Sequence, residues 1–127
     1  SIVTLIEYNG INILLMGDAT VNNEDILMKR YNLPKIDILK VGHHGSRTSS
    51  SKLFIKDIEP KISLISSGKN NKYHLPNLDV IQRLKYYGSK VFDTQDNGEL
   101  TINLDEEVYI VYRDNLNQKS LARESVS

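Results

Sequence analysis

Two apolar runs open the chain, residues 2–8 and 11–16, both rich in β-branched and aliphatic side chains and separated only by Asn9-Gly10. Asn-Gly readily takes the two positive φ angles of a two-residue hairpin turn, so an antiparallel pair is predicted there. After Gly17-Asp18-Ala19-Thr20 the spacing changes, with Ile26, Leu27 and Tyr31 falling at helical intervals before Leu33-Pro34, which predicts a helix over 23–32. A buried strand is expected over 36–41. It runs into Gly42-His43-His44-Gly45-Ser46 and a Ser/Thr-rich stretch, where side-chain hydrogen bonding favours a loop and then a helix cap.

Residues 51–58 place Leu53, Phe54 and Ile58 in a short helix stopped by Pro60, and 62–65 form another apolar strand. Asn77 caps a third helix with Val80, Ile81, Leu84 and Tyr87 on one face and Gly88 at its end, followed by a strand around Val91-Phe92. Asn97-Gly98 then turns the chain into two last strands, 100–104 and 108–112. Residues 114–127 are polar and without period, and are expected to be a frayed or disordered tail. Strands alternating with amphipathic helices predict an α/β or α+β domain, its sheet covered by helices on at least one face.

The length of 127 residues, 39% hydrophobic and 25% charged, suffices for one domain and not for two. Lys+Arg and Asp+Glu balance at 16 each, so no overall positive field advertises nucleic acid, and any such contact must be local. No window approaches the roughly 18 consecutive apolar residues of a membrane span. With no cysteine in the chain, thiolate ligands are excluded and His, Asp and Glu remain as candidate metal donors. Ser1 stands directly in a strand-like run, and the chain reads as a piece of something longer.

Three polar loops follow predicted strands, the position where ligands bind in sheets of this kind. In the first, Asp18 emerges from the apolar run 13–17, where an unpaired charge is costly. A backbone amide or a lysine in a strand-to-helix turn would satisfy it, and so would a cation. In the second, His43 and His44 sit between glycines. Neutral imidazole is a common metal ligand, although a loop histidine also commonly does no more than bond a neighbouring carbonyl. The third loop carries Lys69, Lys72, Tyr73 and His74, a basic and aromatic group suited to phosphate contact and base stacking, or simply a solvated loop. An acidic residue after one strand and a His pair after the next point together to a metal site more strongly than either does alone.

The order Ile13-Leu14-Leu15-Met16-Gly17-Asp18-Ala19, then Leu39-Lys40-Val41-Gly42-His43-His44-Gly45-Ser46, then Pro60 and a strand ending Ser66-Ser67-Gly68-Lys69-Asn70, resembles the metallo-β-lactamase-like domain of the ComEC family of DNA-uptake proteins. Phe92-Asp93-Thr94-Gln95-Asp96-Asn97-Gly98 resembles its closing segment, and the likeness runs from about Ile2 to Tyr112. It implies an αββα sandwich of which residues 1–113 are the C-terminal half. It further implies two divalent metal ions, zinc or manganese, sharing a hydroxide, with Asp18 as the bridging carboxylate and one of the pair His43 and His44 as a ligand. We prefer His44 as the ligand and give His43 a catalytic, substrate-steadying role. Ser46 and Lys72 would then donate to phosphate oxygens, with Tyr73 and His74 on the substrate side.

Two departures from the family pattern matter. Its principal ligand motif, His-x-His-x-Asp-His, is absent and is expected upstream, in the half of the domain that would precede Ser1. Tyr73-His74-Leu75-Pro76 stands where the family often has Tyr-Gly-His-Pro, which shifts the substrate-side histidine by one residue. One Asp and one His fall short of the three or four protein ligands zinc normally uses, so this chain alone is expected to bind metal weakly and not to catalyse.

The resemblance thus implies a soluble domain of a bacterial membrane protein, with DNA or another phosphodiester as partner and the missing half-domain as its complement. A face left without that half would favour a homodimer. Alternatives are a free-standing phosphoesterase of the phosphocholine esterase kind, and a non-catalytic module that guides or docks DNA.

Overall fold

The computed structural model describes residues 2–66 and 76–94, together with the backbone of three further strands within 99–125. The chain opens with β1 (Thr4–Tyr8) and β2 (Ile11–Leu15), paired antiparallel with Tyr8 opposite Ile11. Asn9 and Gly10 take φ of 49° and 79°, the left-handed pair that an Asn-Gly turn supplies. α1 (Val21–Arg30) begins two residues earlier than its apolar spacing suggests. The reason is local: the Asn23 side chain accepts the Thr20 N–H at 2.9 Å and starts the helix at that point.

Next come β3 (Ile38–Lys40), α2 (Lys52–Ile58), β4 (Ile62–Ile65), α3 (Leu78–Tyr86) and β5 (Lys90–Asp93). Both later helices carry side-chain caps. Ser51 accepts from the Phe54 N–H and Asn77 from the Asp79 N–H. β3 is shorter than the apolar run 36–41: the Ile36 N–H is taken by the Ile58 carbonyl at the end of α2, while the Asp37 N–H still reaches Asn12 of β2.

The five strands form one sheet in sequence order, β1-β2-β3-β4-β5, parallel from β2 to β5. Three successive crossovers of one hand bring all three helices to the same face. There Leu14, Met16, Leu39, Val41 and Ile65 of the sheet pack with Phe54, Ile55, Ile58, Val80 and Leu84 of the helices. The opposite face is apolar too. Ile6, Ile13, Ile38 and Ile62 share one row across the strands, and Leu15, Lys40, Leu64 and Phe92 share the next. This second face is not bare throughout: Ile38 and Ile62 are buried, whereas Ile6 and Leu15 are 41% and 36% exposed.

β6 (Glu99–Asp105), β7 (Val108–Asn115) and β8 (Gln118–Ser125) form a separate antiparallel sheet. The stretch read from sequence as an irregular tail thus includes strand β8. No helix among the described residues is long and apolar enough to cross a membrane.

Candidate functional site

At the carboxyl edge of the parallel sheet, the loop after β2 and the turn after β3 meet. The His43 N–H donates to the Gly17 carbonyl at 2.8 Å, so the residue before Asp18 is tied directly to the His pair. The close approach explains Gly42: a Cβ there would lie 2.9 Å from the Ala19 carbonyl oxygen. Residues Gly42–Gly45 make a tight turn in which His43 and His44 are both left-handed, with φ of 51° and 53°. Each such non-glycine residue costs on the order of 1–2 kcal/mol, and a neighbouring pair is retained only where its surroundings enforce it.

Those surroundings are polar and well connected. Ser49 Oγ lies 2.9 Å from the carbonyl oxygens of both Gly42 and Ser46, the Thr48 carbonyl accepts the Val21 N–H at 2.8 Å, and the Gly45 carbonyl accepts the Asn77 N–H at 2.9 Å. The turn is therefore held by α1 on one side and by the start of α3 on the other.

The two imidazoles have different partners. His44 Nδ1 lies 2.6 Å from the Ser66 carbonyl oxygen. A carbonyl only accepts, so Nδ1 carries the proton and the neutral ring keeps its lone pair on Nε2, in an exposed side chain. His43, half-buried, has Nδ1 3.1 Å from Thr48 Oγ1, and Thr48 Oγ1 is 3.0 Å from Ser46 Oγ. The hydroxyls leave the His43 tautomer open and link it through Thr48 to Ser46.

Asp18 is exposed beside this turn. Its carboxylate acts on Lys40, the last residue of β3, which stands in the otherwise apolar row of Leu15, Leu64 and Phe92. Burial pulls the Lys40 ammonium below the usual lysine value, and the Asp18 charge partly offsets that pull.

The structure thus gathers Asp18, His43, His44 and Ser46 at one sheet edge. Lys72, Tyr73 and His74 lie outside the described residues. Thr48 and Lys40 join the group although residue type alone gave them no role. The usable signals were the Ser/Thr run for Thr48, and for Lys40 a basic residue near the end of the strand expected over 36–41.

Asp18 and His44 offer oxygen and nitrogen donors of the kind zinc and manganese accept. Their number is short. Among the described residues no three His, Cys, Asp or Glu side chains form a group that could hold a metal ion.

Fold and site together define an α/β domain with a strained histidine turn at the carboxyl edge of its parallel sheet. The chain is 40% identical over 100 residues to ComE operon protein 3 of Bacillus subtilis, a match covering 79% of the chain and 13% of that protein. It is 40% identical over 103 residues to Recombination protein 2 of Haemophilus influenzae, covering 81% of the chain and 13% of the relative. A third match, 35% over 106 residues, is to Competence protein ComA of Neisseria gonorrhoeae, covering 82% and 15%. These likenesses support a competence-protein family, and the chain corresponds to a small part, 13–15%, of each relative's length. No family model matches the chain.

Proposed function

We propose that this chain is the C-terminal half of a metallo-β-lactamase-like domain in a ComEC-type protein, and that the complete domain hydrolyses phosphodiester bonds of DNA during uptake. The observation that carries the reading is the Gly17–His43 hydrogen bond, which joins the Asp18 loop to the His turn. A sheet apolar on both faces, with helices on one, supports the sandwich, whose second layer packs where the first has no helices.

In this reading Asp18 and the Nε2 atom of His44 are two donors of a set completed from outside the described residues. Divalent cations held by the complete set would lower the pKa of a bound water and draw charge from the phosphate.

The remaining roles belong to the chain's own side chains. The hydroxyls of Ser46 and Thr48 donate to non-bridging phosphate oxygens, and His43 holds the Thr48 hydroxyl in place. The Lys40 ammonium balances the Asp18 carboxylate and keeps the edge from repelling an anionic substrate. Lys72 and Tyr73 are assigned to the DNA backbone and a base, with His74 beside them.

The test is hydrolysis of a model phosphodiester and of single-stranded DNA by the complete parent protein, with Asp18→Ala and His44→Ala variants. We expect metal-dependent cleavage reduced at least about 100-fold by either change, the scale on which loss of charge-stabilising groups is felt. Metal-independent behaviour, or cleavage that survives both changes, overturns the assignment. DNA binding without cleavage would favour the guiding module.

A further inference from the structure

Glu24 lies on α1, away from the residues assigned to chemistry, and its side chain is only 1% exposed. A carboxylate so enclosed needs a strong reason to stay there. Its backbone partners are two: the N–H groups of Ser50 and Ser51 donate to its two oxygens, the latter at 2.9 Å, and the Ser51 hydroxyl bonds the carboxyl as well. The Ser50–Ser51 peptide is gripped from its other side as well, since Arg83 Nη1 of α3 donates to the Ser50 carbonyl at 2.7 Å. Ser50 itself is left-handed, with φ of 55°, a conformation a serine holds only under constraint.

Two residues back along the chain, the Thr48 carbonyl takes the Val21 N–H from the same helix. α1 thus fastens the segment at residue 48 and again at residues 50 and 51. The first of these anchor points, Thr48, touches Ser46 and His43 through its hydroxyl, and both precede it in the chain after the sheet. Burial raises the Glu24 pKa, opposed by the hydrogen bonds from the Ser51 and Ser50 amides and the Ser51 hydroxyl, as expected of a carboxyl kept in place by neutral donors rather than by a cation.

We propose that Glu24 is a positioning residue: with Arg83 it clamps the Ser50–Ser51 peptide and thereby sets where the Ser46 and Thr48 hydroxyls and the His43 ring stand. This rests on the reading of those hydroxyls as the seat of the phosphate. An apolar side chain at residue 24 could fill the space, but it could not accept two N–H groups from the strained segment. Glutamine keeps the shape and loses one acceptor, so Glu24→Gln separates packing from positioning.

The experiment is nitrogen–proton NMR on this chain, carrying Glu24→Gln or Arg83→Gln, beside thermal melts. We expect Glu24→Gln to melt cooperatively, the Ser50 and Ser51 amides to exchange about tenfold faster for the lost bond, and the His43 ring and Thr48 signals to move. Arg83→Gln, which frees the same peptide from outside, should move the same His43 and Thr48 signals, and it decides the matter if Glu24→Gln fails to fold. Unmoved His43 and Thr48 signals in a folded variant overturn the proposal. No phosphodiester chemistry enters the readout, so an inactive parent protein would sink the functional reading while leaving the clamp to be judged by itself.

Discussion

A carboxyl group shut away from water holds its proton longer than one in an unfolded chain, and Glu24 does so for that reason. Its pKa is raised above the ordinary 4.5 by burial, and the Ser51 and Ser50 amides only partly reverse the effect. The folded state therefore binds more protons than the unfolded state between the two values. Stability from this group is full below about pH 4.5 and is lost as pH rises through the folded value. Glu24→Gln should flatten the fall in melting temperature across that window, measured by thermal melts from acid to neutral pH. An unchanged slope would assign the pH dependence elsewhere.

Glu24 also marks a limit of reading residues in order. It sits in the polar opening turns of a helix, where an acidic residue ordinarily serves the helix dipole. Only a contact 26 residues away reveals that it faces inward. Asp18, His43 and His44 were legible for the opposite reason. Each follows an apolar strand directly, so the chain itself announces a polar group at a sheet edge. The distinction between the two histidines was not legible, because it depends on which ring nitrogen meets the Ser66 carbonyl.

At the scale of elements, the turn Gly42–Gly45 is the most demanding piece of backbone in the described chain. Gly45 has φ of 77°, and a Cβ there would come within 2.6 Å of Pro76 Cβ. Gly88, with φ of 91° and nothing within 4 Å, shares the backbone requirement without the crowding. Gly45→Ala should therefore destabilise the chain by about 2–4 kcal/mol and Gly88→Ala by about 1–2 kcal/mol, read from urea unfolding. Equal losses would show that the contact with Pro76 yields freely.

The regular elements followed from period. β1, β2, β4 and all three helices stand where apolar runs or helical spacing put them, with ends displaced by no more than two residues. β3 fell short of its apolar run at Ile36, whose N–H is taken by the Ile58 carbonyl of α2. β8 was missed because 118–125 is polar and carries no alternation that a strand rule can detect.

At the scale of the whole molecule, the order of strands decides what the parts can do. A sheet parallel from β2 to β5 sends successive carboxyl ends to one edge, so residues 18, 43, 44 and 46 meet there despite their separation in sequence. Similarity to one segment of much larger competence proteins fits a domain that works within a longer chain. In the proposed reading, Asp18 and His44 are donors of a metal set completed outside the described residues. The most direct test is a calorimetric titration of zinc and manganese into this chain and into the complete parent protein, each also carrying Asp18→Ala. We expect weak binding by the chain, binding by the parent at least about 100-fold tighter, and loss of that gain in the Asp18→Ala parent. Equal affinities for chain and parent, or a parent indifferent to Asp18→Ala, would contradict it.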